Sequence, residues 1–170
     1  IGTKDSSIIL AGNNEVIENC KEIISLLFPI HTNLGDNLIG PTVLSRAFVS
    51  GGLAGLIGMI NGVAICQKAD ISLDHFRDIY IGRINPMINQ ESRRIIEAIV
   101  AEDTKSTEAS ISAWGYGQEA LLSISKTLDT KLDFQLALNS LFKQAVKAGL
   151  EDHDLSAMVK LFKMNKQSNE

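Results

Sequence analysis

Ala47-Phe48-Val49-Ser50-Gly51-Gly52-Leu53-Ala54-Gly55-Leu56-Ile57-Gly58-Met59-Ile60-Asn61-Gly62-Val63-Ala64-Ile65-Cys66-Gln67 decides how the rest of the chain is read. No charged residue interrupts it between Arg46 and Lys68, yet it holds five glycines. Gly51, Gly55, Gly58 and Gly62 follow at steps of four, three and four, which keeps them on one face of an α-helix. Ala47, Ala54 and Cys66 extend the same narrow stripe. Each glycine inside a helix costs roughly 1 kcal/mol relative to alanine. A stable helix with several must recover that through close packing, so the segment predicts one long buried helix held by other helices.

The bulk composition bounds what surrounds this helix. The chain has 170 residues, 45% hydrophobic and 21% charged, enough for one sizeable core or one domain with part of another. Aromatics are only 5%, so the core must be aliphatic. The net charge is −4, and no basic block or basic-aromatic surface points to nucleic acid. Cys20 and Cys66 stand apart in apolar helical patterns, away from His31, His75 and His153. They read as buried reduced thiols of a cytoplasmic protein, with no metal site. The uncharged run is also long enough to span a bilayer, and Gly51/Gly55 and Gly58/Gly62 fit the GxxxG pairing pattern. Ser50, Asn61 and the glycines lower its hydrophobicity, and no aromatic belt flanks it. A buried helix, with no membrane partner, is the expectation.

Outward from the helix, the two sides differ in pattern. Upstream, Ser7–Gly12 reads as a buried strand ending in turn residues, and Asn13-Asn14 opens an amphipathic helix carrying Val16, Ile17, Cys20, Ile23, Ile24 and Leu27. Phe28-Pro29 ends it, and Ile30–Leu34 reads as a second strand. Two strands and a helix make no stable sheet alone. Residues 1–37 are therefore expected to be the C-terminal edge of an α/β domain whose body lies outside this chain, in keeping with a start at Ile1-Gly2 without an initiator methionine.

From residue 38 to 170 the pattern is helical. A helix is expected from about Pro41 to Ala69, then a short one capped by Ser72, and one opened by Asn85-Pro86 with Met87, Ile95, Ile96, Ile99 and Val100 inward. Others are expected over about Thr107–Thr127 and Asp133–Ala148, the latter with Leu136, Ala137, Leu141, Ala145 and Val146 inward. Gly149 suits a helix C′ position, and Asp152 or Asp154 caps a last helix before a polar tail from Lys163. No GxGxxG, phosphate loop, HExxH or GxSxG occurs.

The order of elements, with specific residues, resembles the 3-hydroxyisobutyrate dehydrogenase and imine reductase group of the 6-phosphogluconate dehydrogenase-like superfamily. Ile1-Gly2 and Ser7–Gly12 look like the last part of its nucleotide domain. Leu34-Gly35-Asp36 through Gly40 is similar to its glycine linker before the interdomain helix. Ala148-Gly149-Leu150 and Asp154-Leu155-Ser156-Ala157 resemble its closing A-x-G…D-x-S-A pattern. The resemblance implies a mainly α, dimer-forming C-terminal domain of NADP- or NAD-dependent oxidoreductases. It also implies a homodimer, a cofactor held mainly by a Rossmann domain outside this chain, and hydride exchange with an imine or a small hydroxy acid or carbonyl substrate.

The resemblance also places the site residues. Hydroxyacid dehydrogenases carry a lysine in the first turns of the long helix and an asparagine pair one turn on. Here those positions hold Ser45 or Arg46, followed by Val49-Ser50. The aspartate or tyrosine common in imine reductases is also absent there. Val49-Ser50-Gly51-Gly52 is similar to a substrate-binding loop of hydroxyacid dehydrogenases but lies inside a helical run. Tyr116 falls where the family has a second cleft lysine. The implied catalytic set is Arg46, Ser45 and Tyr116, with Ser50 and Trp114 toward substrate and Gly40 and Thr42 toward cofactor. Arginine holds its proton and orients anions, and serine is a weak acid without an activating partner. Imine reduction therefore fits better than hydroxyacid chemistry, since an iminium arrives already protonated. The rival expectation is a non-catalytic helical dimerisation or sensor module that kept the scaffold and lost the acid–base group.

Overall fold

The computed structural model describes residues 1–105 and 108–163. The helix start expected near Thr107 and nearly all of the tail expected from Lys163 lie outside the described residues. The chain forms two compact units, Ile1–Ile57 and Gly58–Glu170, and one long helix contributes to both.

In the first unit, strand β1 (Ser7–Leu10) and strand β2 (Ile30–Asn33) pair in parallel, Ser7 opposite Ile30 and Ile9 opposite Thr32. The crossover holds two short helices, α1 (Asn14–Asn19) and α2 (Lys21–Leu27). The Asn13 side chain caps α1 by accepting from the amides of Glu15 (2.9 Å) and Val16 (3.2 Å). The single helix expected here is thus broken at Cys20, which is exposed rather than buried. Past β2, the Asn33 side chain accepts from Gly35 N (2.9 Å) and donates to Asn14 Oδ1 (3.1 Å). Gly35 itself takes φ +59, a left-handed geometry that glycine adopts without strain. That turn delivers the chain into α3.

Helix α3 runs Gly40–Lys68, 29 residues, as the uncharged stretch predicts. Its burial does not follow the expectation. Gly40 is its one buried residue, while Phe48 (62%), Leu53 (54%) and Leu56 (58%) stand open. The glycine stripe explains the division. Gly58 and Gly62 receive the rings of Phe134 and Phe76, which an added Cβ would meet at 3.3 and 3.4 Å. At Gly51 and Gly55 an added Cβ would meet no described atom within 4 Å beyond the adjoining helix backbone. Among the described residues α3 is also the one helix long and apolar enough to cross a membrane by length and composition.

The second unit is helical throughout. Ser72 caps α4 (Leu73–Ile79), its Oγ accepting from Asp74 N at 3.3 Å. A separate helix is expected to open at Asn85-Pro86, but the backbone stays helical from α4 through a π-helical turn, Tyr80–Ile84, into α5 (Asn85–Val100). The Asn85 amide reaches back five residues to Tyr80 O. Proline brings no N–H and its ring crowds the preceding turn, so widening that turn by one residue lets the helix pass Pro86 without a break.

Helices α6 (Ile111–Thr127) and α7 (Asp133–Lys147) pack against each other, followed by a 3₁₀ turn (Leu155–Ala157) and α8 (Met158–Lys163). The core is small: Ile111, Ala145, Leu150 and Ala157, flanked by Phe142, Met158 and Leu161. Several residues expected inward are not. Leu136, Val146, Met87, Ile96 and Val100 are exposed, and α7 buries Gln135 and Asn139 beside Ala145.

Candidate functional site

The first turns of α3 form one wall of a groove of about 630 Å³. Pro41, Leu44, Ser45, Phe48 and Val49 supply that wall at helical spacing. Strand residues Ser7, Ile9, Ile30 and Thr32, brought to one face by the parallel register, supply the other. Ser45 is the polar side chain on the helix wall. Arg46, one residue on, is exposed, and its side chain has no hydrogen bond or ion pair among the described residues. Thr42, Arg46 and Ser50 follow at intervals of four, so they share an exposed strip beside the groove. Gly40 is buried under its own linker, where a Cβ would come within 2.8 Å of Leu34 Cδ1. The groove thus offers hydrocarbon, hydroxyls from Ser7, Thr32 and Ser45, and a guanidinium nearby. It can orient a polar group and exclude water, and it holds no carboxylate, imidazole or amine as proton carrier.

A second cleft, about 270 Å³, lies between α6 and α7. Ser112, Gly115, Tyr116 and Glu119 face Asn139, Phe142, Lys143 and Val146, each set at steps of three and four. Gly115 lets α6 approach Phe142, whose side chain an added Cβ would meet at 3.7 Å. Tyr116 lines this cleft at its open rim, and it does not line the groove that holds Ser45. Trp114 is 41% exposed and is not among the lining residues. Asn139 is only 7% exposed, yet its amide has no hydrogen bond among the described residues. Asn139, Glu119 and Lys143 escape the sequence reading because polar residues on a helix ordinarily mark the solvent face.

Two buried polar systems hold these helices in place. Gln118 Nε2 donates to Gln135 Oε1 (2.6 Å) and Gln135 O (3.2 Å), and Gln135 Nε2 donates to Asn61 Oδ1. This chain of amides ties α6 and α7 to the C-terminal half of α3. The second system centres on Asp154, fully buried, whose Oδ1 accepts from Ser156 N (2.8 Å) and whose Oδ2 accepts from Arg94 Nη1 (2.9 Å). The Arg94 pKa is raised, first by its hydrogen bond to Glu91 and then by Asp154, against the opposing effect of burial. Asp154 N donates to Thr104 O (2.9 Å), and Ile111 N to His153 O (2.9 Å). The closing D-x-S-A pattern is thus a cap and a tether for the start of α6. Among the described residues no group of three His, Cys, Asp or Glu side chains has a metal-binding arrangement.

Neither a family model nor a curated relative matches the chain at sequence level. Solved structures do match in shape. An imine reductase from Myxococcus stipitatus, a variant in complex with NAD+, superposes with a TM-score of 0.88 over 96% of this chain, at 19% identity. A reductive aminase from Aspergillus terreus in complex with NADPH and ethyl levulinate gives 0.81 over 96% at 18%. An imine reductase from Bacillus cereus gives 0.85 over 97% at 12%. The chain spans 58%, 56% and 57% of those proteins, respectively. Likeness at this level of identity defines the fold: a mainly α C-terminal domain of the 6-phosphogluconate dehydrogenase-like type, preceded by a strand-helix-strand piece.

Proposed function

We propose that this chain is the helical domain of an NAD(P)-dependent oxidoreductase that works as a homodimer, in the cytoplasm, on a small imine or carbonyl substrate. The observation that carries this is the groove where the sheet meets the first turns of α3, with Ser45 on its helix wall. It coincides with a fold shared with imine reductases and a reductive aminase in complex with nicotinamide cofactors. The exposed apolar residues of α3 support the dimer, since a contiguous apolar face in water calls for a partner.

A nicotinamide dinucleotide fits this chain only at its edge. Thr42 and Ser45 offer hydroxyls and Arg46 a cation, but no glycine-rich cradle for a pyrophosphate is present, so the body of that site belongs to another domain. The bound cofactor supplies hydride. Ser45 orients the substrate's nitrogen or oxygen by hydrogen bonding, Arg46 holds an anionic group at the rim, and Phe48 with Val49 excludes water. Tyr116 lines a separate cleft on α6, and only the family resemblance suggests it as a proton donor. A substrate that arrives protonated suits this set best, because Ser45 and Arg46 are poor acids.

The test uses the protein that carries this chain, with whatever residues precede Ile1 in its gene. Saturable NADPH fluorescence quenching and NADPH oxidation with a cyclic imine are expected. Ser45→Ala should lower kcat/KM about tenfold, the loss of roughly one hydrogen bond to a polarised group. Absence of NADPH binding overturns the oxidoreductase reading. The absence of lysine, aspartate and tyrosine at residues 45 and 46 favours one rival, a helical module without catalysis. It predicts cofactor binding or dimer formation with no turnover.

A further inference from the structure

We propose that the α6–α7 cleft is a binding site for a compact zwitterion, an α-amino acid with an unbranched aliphatic side chain. At about 270 Å³ the cleft is just below the roughly 300–1,000 Å³ of sites for drug-sized molecules, so its ligand is small. Its floor holds Asn139, 93% buried by the 7% that remains exposed, with an amide that bonds no described residue. The enclosed unpartnered side-chain atoms among the described residues are Ser125 Oγ, Glu151 Oε2 and Ser156 Oγ, so the Asn139 amide is reached from the cleft and is available to a ligand's donor and acceptor. At the rim stand Glu119 and Lys143, charges of opposite sign that pair neither with each other nor with another described residue. Between them Phe142 and Val146 provide hydrocarbon.

A carboxylate alone would meet Glu119, and an amine alone would meet Lys143. A molecule with both satisfies each: its carboxylate accepts from Lys143 and Asn139 Nδ2, its ammonium donates to Glu119 and Asn139 Oδ1, and its side chain lies on Phe142 and Val146. An apolar helix such as the exposed face of α3 in a second copy is the poorer occupant. It carries no charge from Ala47 to Gln67 and would leave all three polar groups desolvated without partners. The site shares Tyr116 with the oxidoreductase reading, but its argument rests on Asn139, Glu119 and Lys143, and its test involves neither cofactor nor turnover.

The experiment titrates the ¹⁵N-labelled chain with L-norleucine, and separately with hexanoate and pentylamine, which lack its ammonium and its carboxylate. Norleucine should shift the amide signals of Tyr116, Asn139 and Lys143 saturably, with the two half-ligands at least about tenfold weaker. The rim substitutions Glu119→Gln and Lys143→Met should each weaken norleucine about tenfold while leaving the circular dichroism spectrum intact. No saturable shift, equal binding of the three compounds, or unchanged affinity in both variants overturns the proposal. So does movement of these signals on dilution instead of with ligand, which would assign the cleft to a second copy.

Discussion

Asp70, Glu102 and Asp129 each hold a positive φ, between 52 and 56°. Each ends a helix in the same way as Gly149 (φ +76): the amide beyond it reaches back across the turn, Ile71 N to Cys66 O at 2.9 Å and Leu150 N to Ala145 O at 3.1 Å. Glycine makes this geometry without the Cβ penalty; an aspartate or glutamate does not. Asp70→Gly and Asp129→Gly should therefore each raise stability by about 0.5–1 kcal/mol, and Gly149→Ala should lower it by about 1 kcal/mol, all read from urea midpoints at constant m. Asp154 is the opposite case. It combines a cap worth about 1 kcal/mol with charged hydrogen bonds worth about 1.5–3 kcal/mol. Arg94 keeps 36% side-chain exposure, so water offsets part of the pair. Asp154→Ala is expected to cost about 3 kcal/mol in the same measurement, and Arg94→Met clearly less.

At the scale of elements, the amide chain through Gln118, Gln135 and Asn61 decides how α6 and α7 meet the end of α3. Gln135→Leu strands the buried Gln118 amide and the half-buried Asn61 amide and should destabilise by about 2 kcal/mol. The double substitution Gln118→Leu/Gln135→Leu removes both ends of the Gln118–Gln135 link, so it should cost less than the sum of the singles. A double-mutant cycle in chemical denaturation measures that coupling, and simple additivity would place the packing of α6 on α7 elsewhere. The same amides show why binary patterning misjudges α7. Gln135 and Asn139, one turn apart, look like a solvent face, yet they point inward, while Leu136 and Val146 are half exposed. The π turn before Pro86 is a similar case, because a proline in a pattern signals a boundary and cannot say that the neighbouring turn will widen instead.

For the whole molecule, the open face of α3 is the dominant feature. Phe48, Leu53 and Leu56, each more than half exposed, lose the burial that would favour so glycine-rich a helix. The proposed homodimer gives a direct expectation. The chain should sediment as a dimer, and Phe48→Glu or Leu56→Glu should shift it toward monomer by at least about tenfold in dissociation constant, since a buried unpaired charge is costly. Partition into detergent with no dimer in its absence would instead assign that face to lipid.

The amino-acid sequence by itself determined the long helix, because an uncharged run with glycines at helical spacing admits little else. It determined the two short strands, the caps at Asn13 and Ser72, and the Gly149 stop, all set by patterns within a few residues. It also carried the likeness to the imine reductase group, from which the interest in Ser45, Arg46 and Tyr116 came. Tertiary structure alone decided which side of each helix faces inward, that Asp154 pairs with Arg94 sixty residues away, and that Asn139, Glu119 and Lys143 meet in one cleft. It also decided that, of the four glycines in the α3 stripe, Gly58 and Gly62 meet described side chains while Gly51 and Gly55 do not. The reason is physical: local propensity and capping act over one turn, whereas burial and the pairing of polar groups depend on which surfaces meet, and those come from distant parts of the chain.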